Sequence, residues 1–412
     1  MTTTAESSAL ADAVAQLRDA RTIRERCTNL WIAAAEGQSR WFTLEPQRLG
    51  IAADIVAEVT RERYPDGRIP YHSRWRHFEV GGIDRTARLL ASVADRSTAE
   101  RARLMVDLAV VSVLLDAGAG ADWRYREAGA ESALSRSEGL GVASFDGFAA
   151  GLFSSDPAEP LRVDARALER LQVADLATMF QVGTDNPLVG LEGRTQLLRR
   201  LGRTMAQRPD WFGADGRPSG LFDRLATGTA AVRAGQILGA LLETLSPIWL
   251  AGNALGGIAL GDCWRHRLAG GHGQSAGWVP FHKLSQWLTY SMFEPFEYAG
   301  IAIEDRDALT GLPEYRNGGL FIDTGVLELK DASIATGLLE PGHEAVIEWR
   351  ALTVCALDSI AVLVRERLGL DAKAMPLACV LEGGTWAAGR RLAARERHGL
   401  PPLSIDSDGT VF

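Results

Sequence analysis

The sequence predicts a mainly α fold, built of helical-bundle subdomains with few or no strands. Two patterns carry that expectation. Apolar residues recur at helical spacing through residues 5–35 (Leu10, Val14, Leu17, Ile23, Leu30, Ile32) and 86–117 (Leu89, Leu90, Val93, Leu104, Val106, Leu108, Val111, Leu114). Alternating strand patterns bounded by Asn-Gly or Asp-Gly turns are scarce. The 412 residues, 46% hydrophobic and 23% charged, have the composition of a soluble globular chain and the length to bury a sizeable core.

In chain order, Ser97 followed by Glu100 reads as the start of a helix, with the hydroxyl available to free amides and an acid in the first turn. Irregular connectors are expected near 64–82, 118–145, 206–222, 265–280 and 310–325. Asp66-Gly67, Asp215-Gly216 and Asn317-Gly318 are placed in loops, and a short extended piece at Leu320–Asp323. Pro280 suits a helix start and Pro295 its stop. Between them Phe281, Leu284, Leu288 and Met292 form an apolar stripe, while Lys283, Gln286, Tyr290 and Glu294 form a second face. A lysine on so apolar a helix either snorkels to water or faces a functional cavity. Pro313 with Gly318 and Gly319 argues for a bent, non-helical backbone carrying the carboxylates of Glu314 and Asp323. Those acids either cap neighbouring helices or serve a site on a loop. Glu348, Arg350 and Asp358 lie in a helix that should be largely buried, where charges must be paired.

Other clusters admit two readings. The run Tyr71–Phe78 packs Arg74, Trp75 and Arg76 among histidines and aromatics: a surface loop with aromatic anchors, or an anion and ring pocket. Asp122, Trp123 and Arg124 follow a Gly-Ala-Gly that lacks the dinucleotide-binding spacing; they line a pocket, or the glycines merely end a helix. Cys263 is a small buried hydrophobe or a nucleophile.

Several classes are disfavoured. Net charge is -8, against a protein that grips nucleic acid. The least charged stretch, Thr244 to Gly261, is broken by Pro247, Asn253 and glycines, so we expect no membrane span. Four scattered cysteines without a Cys-x-x-Cys pair, and an N-terminus without a basic and then apolar leader, lead us to expect a reducing, cytoplasmic setting. His266, His272 and His282 lack the spacing of a helical zinc site, and we expect no metal and no cofactor. No motif sets an oligomeric state.

Eight stretches together resemble the uracil-catabolism family of fungi and bacteria, long catalogued as a domain of unknown function: SRWRHFEVGGIDR, VSVLLDAGAGADWRY, RSEGLGVASFDGFAAGLFS, NPLVGLEGR, GDCWRH, PFHKLSQWLTYSMFEP, LTGLPEYRNGGLFIDTGVL and IEWRALTVCALD. They fall between residues 64 and 390 and are specific only in combination. The order Lys283, then PEYR, then IEWR is more distantly similar to the queuosine-salvage nucleoside 5′-monophosphate glycosidases. There a lysine opens a KRAQ-type helix, an aspartate sits in an ADYR-type loop, and an EIR-type motif opens a later helix. The matching positions are Lys283, Glu314, and Glu348 with Arg350; the acid is a glutamate, and Asn317-Gly318 follows the YR. The resemblance implies a helical architecture like that of helix-hairpin-helix DNA glycosylases. It divides the chain into an N-terminal helical segment, 1–63, and a glycosidase-like domain, 64–412, with room for two packed subdomains and a pocket between them.

The implied substrate is a small phosphorylated nucleoside-like molecule, such as a ribosylurea 5′-phosphate. Breaking its C1′–N bond passes through an oxocarbenium-like transition state, which a carboxylate below C1′ stabilises while it deprotonates water. The expected catalytic residues are Glu314, Lys283, which keeps that acid ionised, and Asp323, for ribose hydroxyls. Arg74, Arg76, Arg124 and Arg316 are candidates for the phosphate, and Trp75, Trp123 and Tyr315 for a wall over the sugar. Asp122 would line the pocket, and Glu348 and Arg350 would orient the acids. Two other readings stand beside this one: hydrolysis of the ureido C–N bond, and a non-catalytic nucleotide-binding protein.

Overall fold

A computed structural model describes residues 4–406. It is mainly α, with seventeen α-helices among the described residues. Strands are two or three residues long and pair only in twos. No helix among the described residues is long and apolar enough to cross a membrane.

The chain forms two compact units, each assembled from separated segments. One comprises the residues up to His72, Asn253–Gln286 and Asp305–Asp406; the other comprises Ser73–Gly252 and Trp287–Glu304. The helix Lys283–Tyr298 contributes its first turn to one unit and the remainder to the other.

The first unit is built around the 25-residue helix Glu344–Leu368. At 1.5 Å per residue it runs for about 37 Å. His343 caps its start, the ring accepting from the Ala345 N–H at 3.2 Å, and Gly369 in the left-handed region (φ 68°) ends it. Its Ile347, Ala351 and Val354 pack against Ile23, Cys27 and Leu30 of helix Ala20–Ala35 and against Val279 and Phe281. Asp358 on this helix is held by Arg24 at 2.8 Å. An antiparallel ladder, Cys263–Arg265 on Trp278–Pro280, feeds the chain directly into the Lys283 helix.

In the second unit the helix Thr98–Leu114 begins with the expected reciprocal cap: the Ser97 hydroxyl accepts from the Glu100 N–H, and the Glu100 carboxylate accepts from the Ser97 N–H at 2.9 Å. The periodic stretch before it is a separate helix, Arg85–Ser92. Arg74–Gly82 winds as 3-10 turns with a kink at Val80-Gly81.

Four local expectations are corrected. Leu320–Asp323 is not extended, and Asn317-Gly318 is not in a loop: both lie in the helix Tyr315–Asp323. Pro313 stands just before that helix, and the two glycines sit inside it, Gly318 where the Trp349 side chain leaves no room for a Cβ. Pro295 does not end the Lys283 helix, which continues to Tyr298. The connector expected at 118–145 already contains the start of helix Arg136–Ala149.

Candidate active site

Glu314 is the N-cap of helix Tyr315–Asp323, and its two carboxylate oxygens accept the N–H groups of Arg316 (2.7 Å) and Asn317 (2.5 Å). Each oxygen keeps lone pairs for a further partner. The side chain is half-buried. Burial pushes its carboxyl above the ordinary glutamate value, and the two backbone N–H groups and the Lys283 and Arg316 charges pull against that rise.

Lys283, only 8% exposed, does not snorkel to water. Its ammonium acts on the Glu314 carboxylate, so the structure brings these two residues into one electrostatic neighbourhood. The intervening chain is stitched by Gln286, one turn along the lysine helix. Its amide donates to the Thr310 hydroxyl at 2.8 Å and accepts the Thr310 N–H at 2.8 Å. Thr310 lies four residues before Glu314.

The lysine's own turn depends on Asp262, which the motif GDCWRH contains and which sequence reasoning passed over for its neighbour Cys263. Asp262 grips three consecutive N–H groups: its backbone oxygen takes those of Phe281 (2.9 Å) and His282 (3.0 Å), and its carboxylate that of Lys283 (2.9 Å). His282 sits in the left-handed region at φ 48°, a strained conformation for a buried non-glycine residue, and this grip sustains it. Arg350 forks onto both Asp262 oxygens at 2.7 Å. Burial would raise the Asp262 carboxyl, but Arg350 overrides it and holds the group down to about 2. Arg350 therefore acts by supporting the lysine turn.

The other expected residues of this unit are dispersed. Asp323 lies at the far end of the helix that Glu314 caps, where Arg397 binds both of its oxygens. The structure does not bring it to Glu314. Glu348 accepts from Ser39 at 2.5 Å and stands 3.3 Å from His266 Nε2; burial raises its carboxyl, and these neighbours bring it below the usual value. Tyr315 is half-buried, with the Arg316 guanidinium 4.8 Å from its ring centre.

The remaining six expected residues belong to the second unit. Arg74 is buried on Ser112 (2.6 Å), His77 (2.9 Å) and Asp116 (3.0 Å). The Trp75 indole donates to the Ser291 carbonyl at 2.8 Å. Arg76 pairs with Glu79 (2.7 Å) and Glu294 (3.3 Å). Trp123 is fully buried and donates to the Phe180 carbonyl at 2.9 Å. Asp122 and Arg124 are exposed, and Arg124 is bound to the carbonyls of Ala121 and Trp123 at 2.7 Å.

Two acids that the sequence reading did not propose are strongly perturbed. Burial pushes Glu294 up to about 8, against the pull of Arg76 and Ser73. Glu382 is also buried, but His72 and Arg63 reverse the effect and hold it down to about 2. Its signal was readable: it is the only charged residue between Lys373 and Arg390.

One cluster has metal-ligand composition: atoms of His266, Glu344 and Glu348 lie within 4.8 Å of one another. The ring does not fit a cation. His266 Nδ1 accepts the Leu268 N–H at 3.1 Å, so in the neutral ring Nε2 keeps its proton, directed at the carboxylates, and offers no lone pair.

The chain belongs to the family described as protein of unknown function (DUF1688), whose model matches residues 16–412. It is 38% identical over 411 residues to Protein urg3 of Schizosaccharomyces pombe, across 97% of this chain and 99% of that protein. It is 37% identical over 418 residues to Uracil catabolism protein 4 of Lachancea kluyveri, across 93% of this chain and 94% of that one.

Proposed function

We propose that this DUF1688 protein acts in uracil catabolism as a hydrolase of an N-ribosyl bond, with a ribosylurea 5′-phosphate or a related nucleotide as substrate. The names of its relatives support the pathway. The chemistry rests on one observation: a buried lysine acts on a carboxylate whose two oxygens are fixed by backbone N–H groups.

That arrangement suits a sugar that becomes cationic in the transition state. The carboxylate cannot swing away, because the helix start holds it. Its remaining lone pairs face developing charge at C1′ and take a proton from attacking water. Water oxygen bonds to C1′, the C1′–N bond breaks with its electron pair leaving on nitrogen, and that nitrogen is protonated. The products are urea and ribose 5-phosphate. An acid raised by burial is a better base near neutrality than an ordinary glutamate, and the Lys283 charge opposes that rise and favours the ionised form.

Incubation with ribosylurea 5′-phosphate should release urea and a reducing sugar phosphate together. Release of ammonia without the sugar would instead mark ureido hydrolysis, and binding without turnover a non-catalytic role. Nothing in the Cys263 environment favours a thiol route: the side chain is packed with Val14, Leu17 and Trp278, and burial drives its thiol well above the ordinary value. Glu314→Gln should lower turnover by about 10²–10⁴-fold. It should cost only about 1 kcal/mol of stability, the value of one helix cap, in a denaturation curve.

A further inference from the structure

Of the four arginines considered for a phosphate, three are already engaged. Arg74 is neutralised by Asp116, Arg76 is paired with Glu79 and bonded to Glu294, and Arg124 is tied to backbone carbonyls at the surface. Arg316 differs. It is 2% exposed, and its Nε and Nη1 are buried without a hydrogen-bond partner. The Glu314 carboxylate feels its charge but is hydrogen-bonded to the backbone N–H groups of Arg316 and Asn317.

A buried guanidinium without an acceptor is costly, so folding alone gives no reason to keep one there. The residue is also held in place. A Cβ on Gly389 would come within 2.1 Å of the Arg316 carbonyl oxygen, so the neighbouring helix presses on its backbone, and the Tyr315 ring lies beside the guanidinium. A dry, held guanidinium with two buried donors that lack acceptors suits a phosphate oxyanion.

We propose that Arg316 is the phosphate-binding residue of this site, its guanidinium donating to a phosphate monoester on the same molecule whose glycosidic carbon Glu314 serves. The inference rests on the N-ribosyl hydrolase reading for the identity of that molecule. It makes the enzyme selective for phosphorylated over free ribosides.

Calorimetric titration of the full-length protein with ribose 5-phosphate, and with ribose as the neutral control, tests it without requiring turnover. Wild type should bind the phosphate ester more tightly than ribose. Arg316→Met should weaken binding of the ester about 10- to 100-fold, leave ribose unchanged, and unfold at no lower temperature than wild type, because it removes two buried donors that lack acceptors. Arg316→Lys should fall between the two. Equal affinity of wild type for both sugars, undiminished ester binding by Arg316→Met, or a destabilised Arg316→Met that Arg316→Lys restores with full affinity, would each overturn the assignment. Glu314→Gln should keep full affinity for ribose 5-phosphate. Urea release with unchanged phosphate binding in Arg316→Met would refute this residue's role while leaving the reaction standing.

Discussion

Glu314 caps a helix, and in the proposed reaction the same carboxylate serves C1′. Capping fixes its orientation, burial raises its pKa, and Lys283 opposes that rise. The opposition has a measurable sign. Without the lysine charge, the carboxyl needs a higher pH to ionise. In Lys283→Met the acidic limb of the kcat/KM profile should therefore move to higher pH, with a lowered plateau. A limb that stays where wild type has it would separate Lys283 from Glu314. Asp262 and Arg350 act one step further out, on the lysine's backbone.

At the scale of elements, the helix Tyr315–Asp323 is defined by close approach. A Cβ at Gly318 would lie 2.6 Å from the Trp349 indole, so Gly318→Ala must push two packed helices apart. Overpacking of this kind costs about 1–3 kcal/mol, to be read as a lower denaturation midpoint. This is also where sequence reading failed. Pro313, Gly318 and Gly319 looked like breakers because their local preferences are non-helical. The reason for Gly318 is the tryptophan across from it, 31 positions along the chain. Periodicity and the Ser97 cap were legible because they are local. Asp262 was not, because its partner Arg350 is 88 residues away. The Lys283–Glu314 pairing was legible only through the order of motifs.

At the scale of the whole molecule, the buried acids set opposing pH dependences. Asp262 and Glu382, both held at about 2, contribute stability that is present above the ordinary carboxyl range and lost as pH falls toward 2. Glu294 works the other way. Its folded-state value of about 8 exceeds the unfolded 4.5, so it subtracts stability as pH rises between those values. Glu294→Gln should gain stability relative to wild type from pH 5 to pH 8, measured by chemical denaturation at each pH. A constant difference across that window would mean that Glu294 is not protonated in the native state.

The segmented make-up of the first unit has a consequence for biosynthesis. Ile23, Cys27 and Leu30 are translated long before Val279, Ile347 and Val354, which the core that covers them needs. At roughly 5–20 residues per second, that gap lasts on the order of half a minute. For that time the nascent chain carries an uncovered greasy stripe, the kind of surface that holdase chaperones occupy. A ribosome that stalls before Glu344 leaves the stripe uncovered for good.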